Sequence, residues 1–211
     1  MDSKKKYVTS WDEVSLRKYL MLLAVDPEGE DAGLERLAIV NDMTLEDVLN
    51  CPLTQTNEMA KAMEFIRKVP KVRHTKKVYT INGREYTPLS DPRKITTAQY
   101  IDYDQLENKA DLLEVLAIVM VPPGHLYNDG YDYEQAKADM GDLSVTDALS
   151  ICDFFTKALS LYTLVAIRQA MKALKRARKD GLDVKEQMKH LKETRKQYGL
   201  RFLFGLEASK Q

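Results

Sequence analysis

The chain has 211 residues, 44% hydrophobic and 30% charged, a balance that supports a buried core and excludes a disordered tail. Lys plus Arg and Asp plus Glu both number 32, so the net charge is zero and excludes a general attraction to nucleic acid or membrane. The charges are unevenly spread, however. Residues 26–50 hold eight acids and one base, residues 101–153 twelve acids and two bases, and residues 172–201 eleven bases and four acids. Acidic middle parts and a basic C-terminal third allow the chain to pair with copies of itself.

Only Cys51 and Cys152 are present, too few for a disulfide framework or a zinc site, and a reducing compartment is expected. Lys4-Lys5-Lys6 at the start lacks the apolar run and cleavage site of a signal peptide. The longest apolar run, residues 115–121, falls short of a bilayer span, so a soluble protein is expected.

In chain order, the first predicted helix begins near Ser15, with Leu16, Tyr19, Leu20, Leu22 and Leu23 on one face, and Pro27 and Gly29 end it. A second starts near Ala32 and groups Leu34, Leu37, Ala38 and Val40. Thr44 then reads as an N-cap with Asp47 three positions on, opening a short helix that stops before Pro52. A longer helix is expected from about Thr56 to Pro70, with Met59, Met63 and Ile66 inward. Val78-Tyr79-Thr80-Ile81, Asn82-Gly83 and Arg84-Glu85-Tyr86-Thr87 form a hairpin pattern, because Asn-Gly supplies the two positive-φ residues of a type I′ turn. A lone hairpin needs support, and Tyr7-Val8-Thr9 is the expected third strand.

The second half repeats the plan of the first. Residues 14–20 align with 95–101, 34–40 with 113–119, and 44–49 with 144–149, at offsets of 81, 79 and 100 residues. The added length is an insert, residues 120–143, that includes a loop rich in Tyr, Asp and Gly. After it, residues 145–178 can run as one long helix. A charged last helix is expected over about 184–198, followed by an apolar tail around Phe202, Leu203 and Phe204.

The predicted fold is therefore mainly α: a helical bundle from a duplicated helical module, with a small β-hairpin between the copies and a long C-terminal helix. The expected divisions are 1–70, 71–94, 95–180 and 181–211.

Residues for catalysis are sparse. His74, His125 and His190 fall in separate segments, and His125 near Asp129 and Asp132 is the one setting that resembles a metal site. Such loops more often use Asp and Asn to bond their own backbone, so no metal is expected. There is no nucleophile elbow, phosphate loop or dinucleotide fingerprint, and Cys152 beside Ile151, Phe154 and Phe155 reads as core. No enzyme activity and no cofactor are expected. Lys172, Arg176 and Lys179 share a helix face that fits phosphates or an acidic partner.

Val8-Thr9-Ser10-Trp11-Asp12-Glu13-Val14-Ser15-Leu16-x-x-Tyr19 is similar to the opening of small helical proteins encoded among tailed-bacteriophage tail and neck genes, some of them tail-assembly chaperones. Ile95-Thr96-Thr97-Ala98-Gln99-Tyr100-Ile101-Asp102, residues 113–121 and the Pro-Gly-x-x-Tyr loop also resemble such proteins in phages of gut bacteria, the crAss-like group among them. The resemblance covers about residues 7–165, leaves the basic helix and apolar end aside, and rests on patterns spread along the chain. It implies a non-catalytic virion or assembly protein at the neck, head–tail connector or tail, in the virion or in the host cytoplasm during assembly. Its partners would be other phage structural proteins or copies of itself, with no membrane. An assembly role of that kind puts contacts at the Tyr-rich loop, Tyr127, Tyr131 and Tyr133, and at the apolar tail, Phe202, Leu203 and Phe204, which must dock on its own domain or on a neighbour. The alternatives are a transient tail-assembly chaperone absent from the mature virion, and an accessory protein binding nucleic acid through the basic C-terminal helices.

Overall fold

A computed structural model of the chain describes residues 7–108, 111–127, 130–179 and 183–207, the last stretch from residue 197 as backbone only. The chain is mainly helical. Helices α1 (Leu16–Ala24), α2 (Ala32–Val40), α3 (Leu45–Leu49) and α4 (Leu53–Ala62) come first, and a 3-10 turn at Met63–Arg67 follows. Strands β1 (Tyr79–Ile81) and β2 (Arg84–Pro88) lead into α5 (Thr97–Gln105), α6 (Leu112–Val119) and β3 (Met120–Val121). Helices α7 (Tyr133–Met140), α8 (Val145–Lys179) and α9 (Lys185–Glu207) complete the order.

Local chemistry sets the helix starts. Ser15 Oγ accepts from the Lys18 amide, and Thr44 Oγ1 from the Asp47 amide while Asp47 returns a bond to the Thr44 amide. Thr96 and Gln99 close the same box on α5, and Asp111 and Asp132 cap α6 and α7. Helix α4 begins earlier than expected, at Leu53, because Pro52 stands immediately before the first turn, where a missing N–H costs nothing.

The hairpin forms as its turn dictates. Asn82 and Gly83 take φ of 50° and 76°, and Tyr79 pairs with Tyr86, Thr80 with Glu85 and Ile81 with Arg84. The third strand is not Tyr7-Val8-Thr9. Instead β3 pairs antiparallel with β2, Thr87 opposite Val121 and Pro88 opposite Met120, and the Leu89 amide donates to the Val119 carbonyl. The turnout of the chain at the end of α6 delivers that strand to the edge, while Tyr7 and Val8 pack against the first core as irregular chain.

The duplication extends to packing. Lys18 Nζ, in the first turn of α1, donates to the Val40 carbonyl at the end of α2. Gln99 Nε2, at the aligned position of α5, donates to the Ile118 carbonyl at the end of α6. Thr44 and Ser144, also aligned, cap α3 and α8 through the amides of Asp47 and Asp147.

Two cores result. The first gathers Leu22, Leu37, Val40, Val48, Met59 and Met63, with Trp11 edge-on to Tyr19 and Phe65 at its rim. The second packs the hairpin's Tyr79, Ile81 and Tyr86 against α6, α7 and the start of α8, with Leu116, Ile118, Met140, Ile151 and Phe155 inside. By length and composition alone, helix α8 is long and apolar enough to cross a membrane, which its short apolar runs do not suggest. Its Ala148, Ile151, Cys152 and Phe155 are consumed by the second core.

Past the Tyr-rich loop, the insert holds α7, which Asp132 opens. One expectation for the C-terminal half is corrected: helix α9 does not stop near residue 198 but runs on to Glu207, so the apolar tail continues the helix.

Candidate functional site

The Tyr-rich loop folds onto its own module. Tyr127 is buried, and its hydroxyl bonds the Asp102 carboxylate on α5. Tyr131 donates to the carbonyls of Ala117 and, at 3.0 Å, Met120, where α6 turns into β3. Tyr133 donates to Glu114, which also takes a bond from Lys137. The Lys137 ammonium, and then the Tyr133 hydroxyl, hold the Glu114 carboxyl below its ordinary value. Burial pushes all three phenols well up, reinforced by the Asp102 bond at Tyr127 and the Glu114 bond at Tyr133. These phenols stay protonated at neutral pH, as donors and packing surface rather than general bases.

The three rings, with Asp102, Gln105, Leu106 and Ile118, line an open cavity of about 510 Å³. The loop's exposed apolar residue is Leu126, at 67%. His125 is exposed and takes part in a turn through its amide, which donates to the Pro122 carbonyl, while Asp132 spends a carboxylate oxygen on the α7 cap. Asp129 lies outside the described residues. Among the described residues no three His, Cys, Asp or Glu side chains come together as a metal-binding group.

Between hairpin and α7 lies a cluster that the spacing of residues did not reveal. Asp139, almost fully buried, accepts from Tyr86 at 2.6 Å, Arg84 at 2.6 Å, Asn82 at 3.1 Å and Gln135 at 3.2 Å. Burial opposes its charge, but the bonds from Tyr86, Asn82 and Arg84 outweigh it and keep the carboxyl below its ordinary value. Burial and then the Asp139 bond push the Tyr86 hydroxyl up to about 12. Each oxygen of Asp139 carries two donors, so the cluster is a clamp with no free valence for a ligand. Cys152 is equally closed: burial pushes its thiol up to about 12, which leaves it protonated.

The remaining candidates lie on the α8–α9 arm. Helix α8 packs along α9, with Leu174 and Leu191 lining the groove between them and Ile167 and Val184 buried. Lys172, Arg176 and Lys179 are exposed, as are Arg168 and Lys175, which complete the α8 surface. Helix α9 adds Lys185, Lys189, Lys192 and Lys196, all exposed. Sequence reasoning picked three of these cations and missed the rest, although the same four-three-four spacing runs through both helices. Phe202, Leu203 and Phe204 fall within the backbone of α9, and their side chains lie outside the described residues.

In comparisons with known proteins, no family model, curated protein or solved structure matches the chain.

Proposed function

We propose that this chain is a non-catalytic structural or assembly protein of a tailed bacteriophage, acting through protein–protein contacts at the neck, connector or tail. The observation that carries the assembly part of this reading is surface. Among the described residues, large apolar side chains of the kind a self-sufficient monomer buries stand open to solvent. Exposed Leu23, Leu49, Leu53, Val69 and Leu126 supply this apolar contact area. The phage assignment rests on the resemblance over residues 7–165, and the hydrogen-bonded, saturated polar clusters agree with a scaffold role.

The test is mass spectrometry of purified virions together with affinity capture of the chain from infected cells. A resident component is found in mature particles at fixed copy number. Presence in tail precursors and absence from particles would assign the transient chaperone role instead. Absence from both would end the phage reading.

A further inference from the structure

We propose that the cationic face of the α8–α9 arm docks on the acidic surface of the first module of a second copy of this chain, so that copies associate head to tail. On α8, Arg168, Lys172, Lys175 and Lys179 follow each other at spacings of four, three and four, one stripe about 16 Å long on an α-helix. On α9, Lys185, Lys189, Lys192 and Lys196 repeat that spacing. Both stripes lie on one side of the two-helix layer. The groove between the helices opens on the side lined by Ala170 and Ala173 of α8 and Gln187 and His190 of α9. In antiparallel helices, rotation away from the shared seam runs the same way, so both stripes fall opposite that groove.

No acid interrupts α8 from Phe154 to Lys179. Helix α9 carries Glu186 and Glu193, which the helical rotation sets roughly a quarter-turn from the centre of the lysine stripe, at its edge. Among the described residues, the ion pairs within the chain all join other side chains, which leaves these eight cations without a carboxylate.

The complement is built into the same molecule. Asp26, Glu28, Glu30, Asp31, Glu35 and Glu46 are exposed along the α1–α2 turn, α2 and α3, and none joins those ion pairs either. Part of the charge balance therefore does not come from local pairing: an acidic surface on the first module and a basic one on the arm lie on different elements. A contact between unlike surfaces is heterologous, and it generates a ring where the rotation closes. The inference stands on the placement of charge and is independent of the phage assignment. The same cations suit phosphates, but a matched acidic surface in the chain itself favours a second copy.

The experiment is light scattering on the full-length chain. At about 0.1 M salt, where the Debye length is about 10 Å, the expected mass is a multiple of 24.2 kDa. At about 1 M salt it should fall to 24.2 kDa. An arm variant (Arg168→Glu, Lys172→Glu, Lys175→Glu, Lys179→Glu) and a head variant (Glu28→Lys, Glu30→Lys, Asp31→Lys, Glu35→Lys) should each be monomeric with unchanged helix content. Mixed in equal amounts they should associate, since the acidic arm of one then meets the basic head of the other. The proposal is overturned if the wild-type chain is monomeric at low salt, if either variant assembles like wild type, or if the mixture stays dissociated. It is also overturned if wild type binds a DNA duplex through the arm residues without self-association, which would make nucleic acid the partner.

Discussion

Ser15 and Ser144 face each other in a one-residue antiparallel bridge, and this bridge exchanges side chains between the two cores. The Leu16 amide donates to the Leu143 carbonyl at 2.8 Å, and the Val145 amide to the Val14 carbonyl at 2.9 Å. Leu16 begins the first module's leading helix, yet it packs in the second core with Leu143. Val145 begins α8, yet it packs in the first core with Val14. Each copy of the repeat thus completes the other, and the modules should unfold together.

Leu16→Ala tests that coupling. The side chain is fully buried, so the loss should be about 2–5 kcal/mol. Trp11, the single tryptophan, sits at the first core and reports on the module that Leu16 does not pack into. Urea unfolding followed by Trp11 fluorescence and by circular dichroism should give one shared midpoint, lowered in both signals. A fluorescence midpoint that stays put while the helical signal shifts would show the cores to be independent.

Asp139 gives the fold an acid-sensitive joint. Its folded carboxyl titrates below the ordinary 3.8. A carboxylate depressed in this way contributes stability above the unfolded value, and that stability is lost as pH falls through the folded one. Asp139→Asn removes the charge that Arg84 and Tyr86 bond to, and should cost roughly 1.5–3 kcal/mol at neutral pH. In denaturant titrations the gap between variant and wild type should narrow once pH falls below the ordinary carboxylate value and close below the folded one. A gap that is constant with pH would mean that packing, not charge, is what Asp139 supplies.

Much of the helical plan could be read from local chemistry. Ser15, Thr44, Thr96 and Asn82-Gly83 each act within three or four residues, so their types and spacing suffice. The elements that escaped prediction depend on distant partners. Helix α7 has a thin apolar stripe because Asp139 takes an inward position, and its partners Asn82, Arg84 and Tyr86 stand 57, 55 and 53 residues away. Strand β3 is two residues long and exists because β2 offers it an edge. An assembly role puts the loop tyrosines at partner contacts, but the chain itself occupies their hydroxyls. The basic stripe was legible on α8 alone; only the packing of α9 places a second stripe beside it.

Gln99 carries two duties in the repeat. Its Oε1 accepts from the Thr96 amide, and its Nε2 donates to the Ile118 carbonyl at 2.8 Å in a buried setting. Gln99→Met keeps the volume and removes both bonds. The orphaned carbonyl and amide should cost about 1–3 kcal/mol, read as a lowered urea midpoint with unchanged slope. A neutral result would show that water reaches the end of α6 when the side chain is gone.

Removing residues 182–211 separates the arm from the body. Among the described residues, those that make up the first core, the hairpin and the second core all lie before residue 160, and α9 packs on α8. Trp11 fluorescence and the cooperative unfolding transition should persist. The distal half of α8 loses the cover over Ile167 and Leu174, and an isolated helical segment of that length is marginal in water. Helical content should therefore drop by more than the 23 residues of α9, and hydrogen exchange should find fast amides from about Thr163 onward and slow ones before it. Loss of the whole transition would show that the arm is part of the core and not an appendage for partners.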